Sequence, residues 1–492
     1  MWSTAARCSA VRTAPRRGLA TLTSSELEKD FAAMLPEAAL QRDPSTVEGH
    51  RMDWLKQFEG PVLDNDRTPK FVLRPGSTEE VSEILKYCHK HEVPVVPQGG
   101  NTGLVGGSVP KRGDEVVLNL ARMNKVLDFD DVGGVISCQA GCILADLESY
   151  ASARGYLMPL DLGASGSCQI GGNLATNAGG IRLVRYGSLR SNVLGLEAVL
   201  ADGTVLDMMN TLRKDNTGYD LKQLLVGSEG TLGVITGAAI ITPPKPVARQ
   251  VALLALDSFD EVLSTLQKAR SCLGEVLSAA EFWDSPSLNM LLDTMPEVVS
   301  SRPIEGDHPF YLLIEAAGSD AEHDMAKLER FLDGFEHGVL AMDESQVASL
   351  WSIRENLPVA LQHRGGRTYK YDVSIPSSLF DELTNLIRKR VASVSEDAFV
   401  MQYGHIGDGN VHVNGWSPAF DQDVLDALED ELYAFLTKHR GSISAEHGIG
   451  VLKAKKMHIS NTESSLALMR SIKNLLDPKN ILNPGKVLPE QA

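Results

Sequence analysis

The apolar and polar positions of the chain follow patterns that predict helices and strands in alternation. In GSTEEVSEILKYCHKH, Ser77 and Glu80 have the spacing of a capping box and apolar residues follow at helical spacing, so a helix is predicted there. Short apolar runs in EVPVVPQGG, EVVLNL and GVISCQAG predict strands, and AVLADGTVLDM predicts a hairpin turned on Asp202 and Gly203. From about residue 66 to 245, the pattern therefore predicts strands and short helices separated by glycine-rich loops.

A second domain, of the α+β class, is predicted after the proline-rich segment TPPKP at residues 242–246. FDEVLSTLQKARS and AEHDMAKLERFLDG have the spacing of amphipathic helices, and the strand-like PFYLLIEAAG lies between them. Helices that alternate with strands in this way predict a sheet with helices on one of its faces.

Composition and charge exclude some classes of partner. The chain has 492 residues, 43% hydrophobic and 23% charged, which is typical of a globular protein with two or three domains. Its formal net charge of −17 gives a surface that repels nucleic-acid phosphates and anionic membranes, so neither is an expected partner. No apolar run approaches the roughly 18 residues that a membrane span requires.

The first 25 residues differ in composition from the rest of the chain. MWSTAARCSAVRTAPRRGLATLTSS contains arginines and many hydroxyl residues, and no acidic residue occurs before Glu26. This composition predicts a mitochondrial transit peptide, with a disordered basic tail as the alternative. The few cysteines form no C-x-x-C pair, which fits a reducing compartment such as the mitochondrial matrix.

Three glycine-rich loops predict a site for a phosphate-containing cofactor. Glycine lets backbone N–H groups approach an anion with no Cβ in the way, and a pyrophosphate is the expected guest. Neither the G-x-G-x-x-G nor the G-x-x-x-x-G-K-[ST] pattern occurs in the context that its fold requires. A single loop of this kind is as well explained by a tight turn, but three together favour a dinucleotide-like cofactor. The loops are PQGGNTGLVGGS (97–108), PLDLGASGSCQIGGNLATNAGG (159–180) and LVGSEGTLGVIT (225–236).

Histidines and a glutamate form a second candidate site near the end of the chain. YGHIGDGNVHVN contains His405 and His412, and SAEHGIG contains Glu446 and His447. An odd spacing points two side chains to opposite faces of a straight strand, but the intervening glycines predict a turn that returns them to one site. Two imidazoles and a carboxylate suit a divalent metal such as Zn²⁺ with open positions for a substrate. The alternative is that the histidines have only a structural role.

These motifs resemble known flavoproteins. The three loops resemble the flavin-binding domain of the vanillyl-alcohol oxidase and p-cresol methylhydroxylase superfamily. GHIGDGNVHVN and SAEHGIG, together with RKDNTGYDLKQL and VGSEGTLG, are similar to FAD-linked D-2-hydroxyacid dehydrogenases from about residue 50 to the end. The resemblance implies an α+β fold with a two-part FAD domain, an α+β substrate (cap) domain and a C-terminal helical segment.

The resemblance also implies how FAD is held. The first loop would bind the pyrophosphate, and the other two would line the flavin and its ribityl chain. Asn101 stands where members with covalent flavin have a histidine, so FAD is expected to be non-covalent. The implied cofactor-binding residues are Pro97, Gly99, Gly100, Asn101, Thr102, Gly103, Gly107, Ser108, Leu162, Gly163, Ser167, Gly171, Gly172, Thr176, Gly179, Gly180, Glu229, Gly230 and Ile235.

The resemblance implies catalytic roles as well. Pro358 stands where the family has a hydroxyl-bearing substrate contact, and proline offers no donor. Without the resemblance, Arg354 in LWSIREN would be interpreted as a helix-surface residue that is paired with a neighbouring acid. Lys370 in TYKYD would be interpreted as a solvated charge on a strand. The implied residues are metal ligands His405, His412 and Glu446, the base His447, and substrate contacts Arg354, Lys370, Asn414 and His447.

The function implied is FAD- and metal-dependent oxidation of D-2-hydroxyglutarate to 2-oxoglutarate, with electron-transfer flavoprotein as the expected acceptor and a homodimer as one possible assembly. The alternatives are a dehydrogenase of D-lactate or another D-2-hydroxy acid, a metal-dependent hydrolase, and an inactive flavoprotein scaffold. The predicted segments are a transit peptide (1–25), an N-terminal helical segment (26–65), an FAD domain (66–245), a substrate and metal domain (246–455) and a C-terminal segment that packs back on the FAD domain (456–492).

Overall fold

The structure is a computed structural model, and it describes residues 23–55 and 69–489 of the chain. The predicted transit peptide lies outside the described residues except at its last positions. There the first helix begins at Ser24, because Thr23 and Glu26 form a capping box in which each side chain accepts a hydrogen bond from the other's amide. The helix therefore crosses the predicted boundary at residue 25.

Two sheets form the part of the chain up to about residue 245. The first contains β1 (Leu40–Gln41), β2 (Val72–Leu73), β3 (Val95–Gln98) and β4 (Val116–Asn119), in the spatial order β1–β2–β4–β3. The second contains β5 (Val126–Asp130), β6 (Val135–Gln139), β7 (Val193–Val199), β8 (Val205–Met208) and β9 (Val234–Ile241), in the order β5–β6–β9–β7–β8. The predicted strands and hairpin are confirmed.

Most of the helices in this half cover the two sheets and share one hydrophobic core with them. The predicted helix after Ser77 is confirmed, and the Ser77 hydroxyl accepts a hydrogen bond from the Glu80 amide. The Glu80 carboxylate, however, accepts from the Gly76 amide and not from that of Ser77, so the capping box is only half formed. The helices of this half are α1 (Ser24–Met34), α2 (Pro44–Glu48), α3 (Thr78–His91), α4 (Leu144–Ser152), α5 (Ile170–Thr176), α6 (Leu183–Tyr186) and α7 (Lys222–Leu225).

A seven-stranded antiparallel sheet forms the second half. Its strands are β10 (Ala248–Leu256), β11 (Leu277–Asp284), β12 (Phe310–Gly318), β13 (Gly338–Leu340), β14 (Arg367–Ser374), β15 (Phe399–His405) and β16 (Asn410–Ser417), in the order β13–β10–β12–β11–β15–β16–β14. The accompanying helices are α8 (Phe259–Leu273), α9 (Ser285–Thr294), α10 (Ala321–Leu332), α11 (Glu344–His363), α12 (Phe380–Ala392), α13 (Gln422–His439) and α14 (Met457–Ser460). None of the helices in the described ranges combines the length and hydropathy required to cross a bilayer.

The expectation that helices cover only one face of this sheet is wrong. One core packs α8, α10, α12 and α13 on one face, and a second core packs α9 and α11 on the other. In β10, Leu254 points into the first core and Leu253 into the second. A strand buried on both faces is apolar at successive positions, as VALLAL in this strand is.

The end of the chain returns to the first half. After α15 (Glu463–Leu476), Leu482 joins the core of the first half and forms a parallel bridge with Val95 of β3. The Val95 amide donates to the Ile481 carbonyl at 2.8 Å, and the Asn483 amide donates to the Val95 carbonyl at 2.8 Å. These contacts support the predicted C-terminal segment, and the exact domain boundaries stay a prediction.

Candidate active site

The three glycine-rich loops line one cavity of about 320 Å³. Two predicted cofactor residues are not part of its lining. The Ser167 carbonyl packs so closely on Gly100 that a Cβ there would lie 1.9 Å from it, and the Gly180 amide points towards Glu446. The predicted residues that line the cavity are Pro97, Gly99, Gly100, Asn101, Thr102, Gly103, Gly107, Ser108, Leu162, Gly163, Gly171, Gly172, Thr176, Gly179, Glu229, Gly230 and Ile235.

The cavity has the features of a cofactor site. A Cβ on Gly163 or Gly172 would meet no protein atom within 4 Å, so both glycines face open space. Among the described residues, Gln169 Oε1 and Asn173 Oδ1 are buried acceptors without a hydrogen-bond partner, and both residues line the cavity. Buried polar groups are normally satisfied, so these atoms indicate a ligand with donors. Sequence reasoning missed both residues, although each lies within the second glycine loop.

Asn101 contacts protein atoms at the edge of this cavity. Its amide group donates to the Met52 carbonyl at 2.6 Å, and its side-chain oxygen accepts from the Ser108 hydroxyl at 2.8 Å. Its φ of 55° places it in the left-handed region, which asparagine tolerates better than most residues. Asn101 therefore stabilises the shape of the first loop.

A hairpin brings the two predicted histidines to one face of the second sheet. Strands β15 and β16 pair antiparallel around the turn at residues 406–409, and Tyr403 lies opposite His412. His405 is two residues from Tyr403 and so shares its face, as Asn414 shares the face of His412. The two imidazole rings lie 5.6 Å apart. The predicted turn is confirmed.

Glu446 joins this hairpin to the cofactor cavity. Its Oε1 atom lies 3.7 Å from His405 Nε2, 3.6 Å from His412 Nε2 and 3.7 Å from His447 Nε2. Its other oxygen, Oε2, accepts a hydrogen bond from the Gly180 amide of the second glycine loop at 2.9 Å. Glu446 and His447 also line the cavity, whereas His405 and His412 are buried. The two candidate sites are therefore one continuous site.

Asp372 organises the loop that carries Glu446 and His447. This buried carboxylate accepts hydrogen bonds at Oδ2 from the amides of Ala445, Glu446 and His447, at 3.1, 3.0 and 2.9 Å. Its oxygens also lie 3.8 Å from His447 Nδ1 and 4.0 Å from His412 Nδ1. Asp372 was not among the site residues predicted from the sequence. The sequence indicates only that Asp372 and Lys370 share one face of a strand, and the pairing of β14 with β16 places that face beside His412.

Glu281 positions Arg354 and His405 from the neighbouring strand β11. Its carboxylate lies 2.8 Å from His405 Nδ1 and accepts a hydrogen bond from Arg354 Nε at 2.8 Å. Arg354 is buried, so the alternative of an ion pair on a helix surface is wrong. Sequence reasoning missed Glu281, although one acid in the apolar run LSAAEFW of a buried strand requires a partner.

Lys370 and Asn414 lie opposite each other on β14 and β16. Asn414 is buried and donates to the Tyr403 hydroxyl at 2.7 Å. Lys370 is partly buried, and its Nζ atom lies 3.4 Å from the Pro358 carbonyl and 4.9 Å from the centre of the Trp54 ring. Partial burial lowers the pKa of Lys370 to about 8. The lysine is therefore not the freely solvated charge of the alternative interpretation.

Comparison with known proteins identifies the family. Residues 69–209 match the model described as FAD binding domain, and residues 245–487 match that of FAD linked oxidases, C-terminal domain. Mitochondrial D-2-hydroxyglutarate dehydrogenase of Danio rerio is 48% identical, over 97% of this chain and 87% of its own. The chain belongs to the FAD-linked D-2-hydroxyacid dehydrogenase family. It is thus an FAD-dependent oxidoreductase.

Two other matches show a further relative of the chain and a solved structure with the same fold. A putative mitochondrial D-lactate dehydrogenase of Schizosaccharomyces pombe is 45% identical, over 90% of this chain and 85% of its own. The structure of p-cresol methylhydroxylase with substrate bound superposes with a TM-score of 0.75 at 16% identity, covering 94% of this chain and 97% of that one. The predicted fold, an FAD domain of the vanillyl-alcohol oxidase type with an α+β second domain, is confirmed.

The carboxylates of this dehydrogenase site are held in their ionised forms. Burial acts to raise the pKa of Glu446, but hydrogen bonding to His405 and the charges of the surrounding imidazoles outweigh it and hold the pKa well below its usual range. Burial likewise acts to raise the pKa of Asp372, but His447 and Lys453, together with amide donors, hold it far below the usual range. The cluster therefore contains two ionised carboxylates that face cationic or polar partners.

The histidines respond to these carboxylates in different ways. Burial acts to lower the pKa of His405, but the Glu281 and Glu446 carboxylates outweigh it and raise the pKa to about 10. Burial dominates at His412 and holds its pKa well below the ordinary value. The Glu281 and Glu446 carboxylates therefore favour positive charge at His405, whereas burial favours the neutral form of His412.

The donor set fits a divalent metal ion. Ligand atoms of Asp372, His412, Glu446 and His447 lie within 4.8 Å of one another, and His405 Nε2 faces the same Glu446 oxygen. Three backbone amides donate to Asp372 Oδ2, and the carboxylate lies near Nδ1 of His412 and of His447. Asp372 is therefore placed to orient these two imidazoles. The buried pair His405 and His412 can then offer Nε2 as ligand atoms, while His447 faces the cavity.

Proposed function

We propose that the chain oxidises D-2-hydroxyglutarate to 2-oxoglutarate. One observation carries the proposal: the cavity lined by the FAD loops ends at Glu446 and His447, within the histidine cluster. An alcohol bound there would lie between the cofactor and a base. The name of the relative from Danio rerio supports this substrate, and the FAD-binding domain supports the redox chemistry.

The side chains of the site have different roles in the proposed reaction. The glycine-rich loops would hold FAD, which would supply a hydride acceptor, and His405, His412 and Glu446 would hold a divalent metal, which would supply Lewis acidity. His447 accepts the hydroxyl proton at Nε2, because its Nδ1 faces the Asp372 carboxylate. Arg354, Lys370 and Asn414 bind and orient the carboxylates of the substrate.

The finer assignments belong to the same proposal. The metal would be Zn²⁺, since imidazole and carboxylate ligands with an open position suit it. FAD would be bound without a covalent link from Asn101, whose side chain is engaged with Met52 and Ser108. The relatives' names place them in mitochondria, which supports the transit peptide and a matrix location. We extend the family resemblance to electron-transfer flavoprotein as acceptor and to a homodimer.

D-lactate is the second candidate substrate. A relative with this name is 45% identical, and Pro358 removes one expected contact for a carboxylate. Lactate has no distal carboxylate, so it would leave Lys370 without a partner. The hydrolase alternative leaves the FAD-binding domain without a role, and the inactive-scaffold alternative does the same for the histidine cluster.

Rapid mixing of the oxidised enzyme with each substrate, followed at the flavin absorbance, tests the proposal. At equal, low substrate concentrations, D-2-hydroxyglutarate should reduce the flavin faster than D-lactate does. His447→Ala should slow reduction by about a hundredfold or more, as expected for loss of a general base. His458→Ala, a change at an exposed histidine of α14, is the matched control. Fast reduction by metal-loaded His447→Ala would contradict the assigned base, and a preference for D-lactate would contradict the substrate.

A further inference from the structure

Lys370 carries a charge that the described part of the chain does not neutralise. Arg354, the other cation of the proposed substrate pocket, is already paired with Glu281 at 2.8 Å. Within residues 23–55 and 69–489, no carboxylate forms a salt bridge with Lys370, and its neighbours are the Pro358 carbonyl and the ring of Trp54. A partly buried ammonium without an anion has a strong preference for an anionic ligand.

Trp54 comes from a segment that is attached to the cofactor loop. The Trp54 amide donates to the Gly103 carbonyl at 3.2 Å. Beside it, the Met52 carbonyl accepts from Asn101 at 2.6 Å, and the Asp53 carboxylate accepts from the Gly106 amide at 3.0 Å. These hydrogen bonds fix the backbone at Trp54 relative to the first glycine loop. The ring therefore joins a loop of the FAD domain to a lysine of the substrate domain.

Lys370 lies one side-chain position along the sheet from the histidine cluster. Lys370 lies opposite Asn414, one alternation along β14 and β16 from the pair Asp372 and His412. Residues two apart on a strand are separated by about 7 Å. In a five-carbon 2-hydroxy diacid, two methylene groups separate the alcohol carbon from the distal carboxylate. The alcohol can therefore lie at the histidine cluster while the distal carboxylate lies at Lys370.

Lys370 is taken from the proposed function as the anchor of the distal carboxylate, and we propose that Trp54 is a specificity-determining residue that favours dicarboxylic over monocarboxylic D-2-hydroxy acids by holding Lys370 in place. The inference rests on the proposed function. The indole ring holds the ammonium by a cation–π contact and excludes water from one side of it, which strengthens its attraction for a carboxylate. A monocarboxylic hydroxy acid gains nothing from this arrangement.

The test compares Trp54→Ala, Trp54→Phe, Lys370→Met and the double variant Trp54→Ala/Lys370→Met. For each, kcat/KM for D-2-hydroxyglutarate is divided by kcat/KM for D-lactate, and the FAD content is measured. Trp54→Ala should lower the ratio about tenfold, mainly through a higher KM for the diacid. Trp54→Phe should keep it within about threefold, because the aromatic face remains. Phe420→Ala removes a different exposed aromatic ring that lies over a cation, Arg367, and is the matched control.

The double variant separates a specific role from a structural one. If Trp54 acts through Lys370, its removal should change the ratio little once Lys370 is already methionine, so the two effects should not add. Equal losses for both substrates in Trp54→Ala, or additive effects in the double variant, would overturn the inference. Failure of the proposed function is a different result, because then the wild-type flavin would not be reduced by D-2-hydroxyglutarate.

Discussion

Replacing Asp372 by asparagine tests how the site is organised. The substitution preserves the size of the side chain and removes its charge. In the wild type, Oδ2 accepts three successive amide hydrogen bonds from residues 445–447, and Oδ1 accepts one from the Asn410 side chain at 2.8 Å. An asparagine has only one acceptor oxygen at this position.

Either orientation of the new amide group places donors against donors. With its oxygen towards the three amides, its nitrogen faces the Asn410 amide group, and with the opposite orientation it faces the three amides themselves. A buried polar group left unsatisfied costs about 1–3 kcal/mol. The loop that carries Glu446 and His447 should therefore shift. Mutation of a residue that hydrogen-bonds to metal ligands typically lowers metal affinity or activity by about 10- to 100-fold.

Three measurements on Asp372→Asn separate these effects: metal titration of the metal-free enzyme, flavin reduction by D-2-hydroxyglutarate, and thermal unfolding. We expect metal affinity and the rate of reduction to fall by about 10- to 100-fold, with FAD retained. Asp477→Asn is the matched control, because Asp477 is also buried and accepts from the Ile481 and Leu482 amides at 3.0 and 2.8 Å. It should lose stability and keep its metal affinity. If Asp372→Asn bound metal and reduced flavin as the wild type does, the positioning role of Asp372 would be refuted.

Three further predictions follow from the proposed site. Chelation should abolish flavin reduction while FAD stays bound, and His405→Ala should behave like the chelated enzyme; full activity without metal would contradict this. Acid precipitation should release FAD into the supernatant, since Asn101 offers no covalent link, and colour retained in the pellet would be the opposite result. Above pH 8 the KM for D-2-hydroxyglutarate should rise as Lys370 loses its proton, because its pKa is lowered to about 8, and Lys370→Arg should remove this rise.

Elements set by nearby residues were predictable from the sequence. The helix at Thr78–His91 begins at a local cap, and the hairpin between β7 and β8 turns on Asp202 and Gly203, so each is encoded within a few residues. The burial of both faces of the second sheet was not predicted, because it depends on which helices cross which face. That information lies in contacts between distant parts of the chain.

The same distinction between local motifs and distant contacts explains which residues of the site were predicted from the sequence. His405, His412, Glu446 and His447 were found because each lies in a short motif with glycines. Asp372 was missed because its role depends on the register of β14 against β16, which places it opposite His412. Glu281 has the same explanation: only the pairing of β11 with β15 brings it to His405. Strand register is set by non-local packing and is not visible in either strand alone.

Two carboxylates hold the two halves of the chain together around His447. Glu446 of the second half accepts from the Gly180 amide of the first half, and Glu229 of the first half accepts from the Ile449 and Gly450 amides of the second. The two contacts lie on either side of His447 and run in opposite directions between the halves. Charge-assisted hydrogen bonds to backbone groups are stronger and more directional than apolar contacts. The base is therefore positioned by the cofactor loops as well as by its own sheet, which explains why neither half alone contains a complete site.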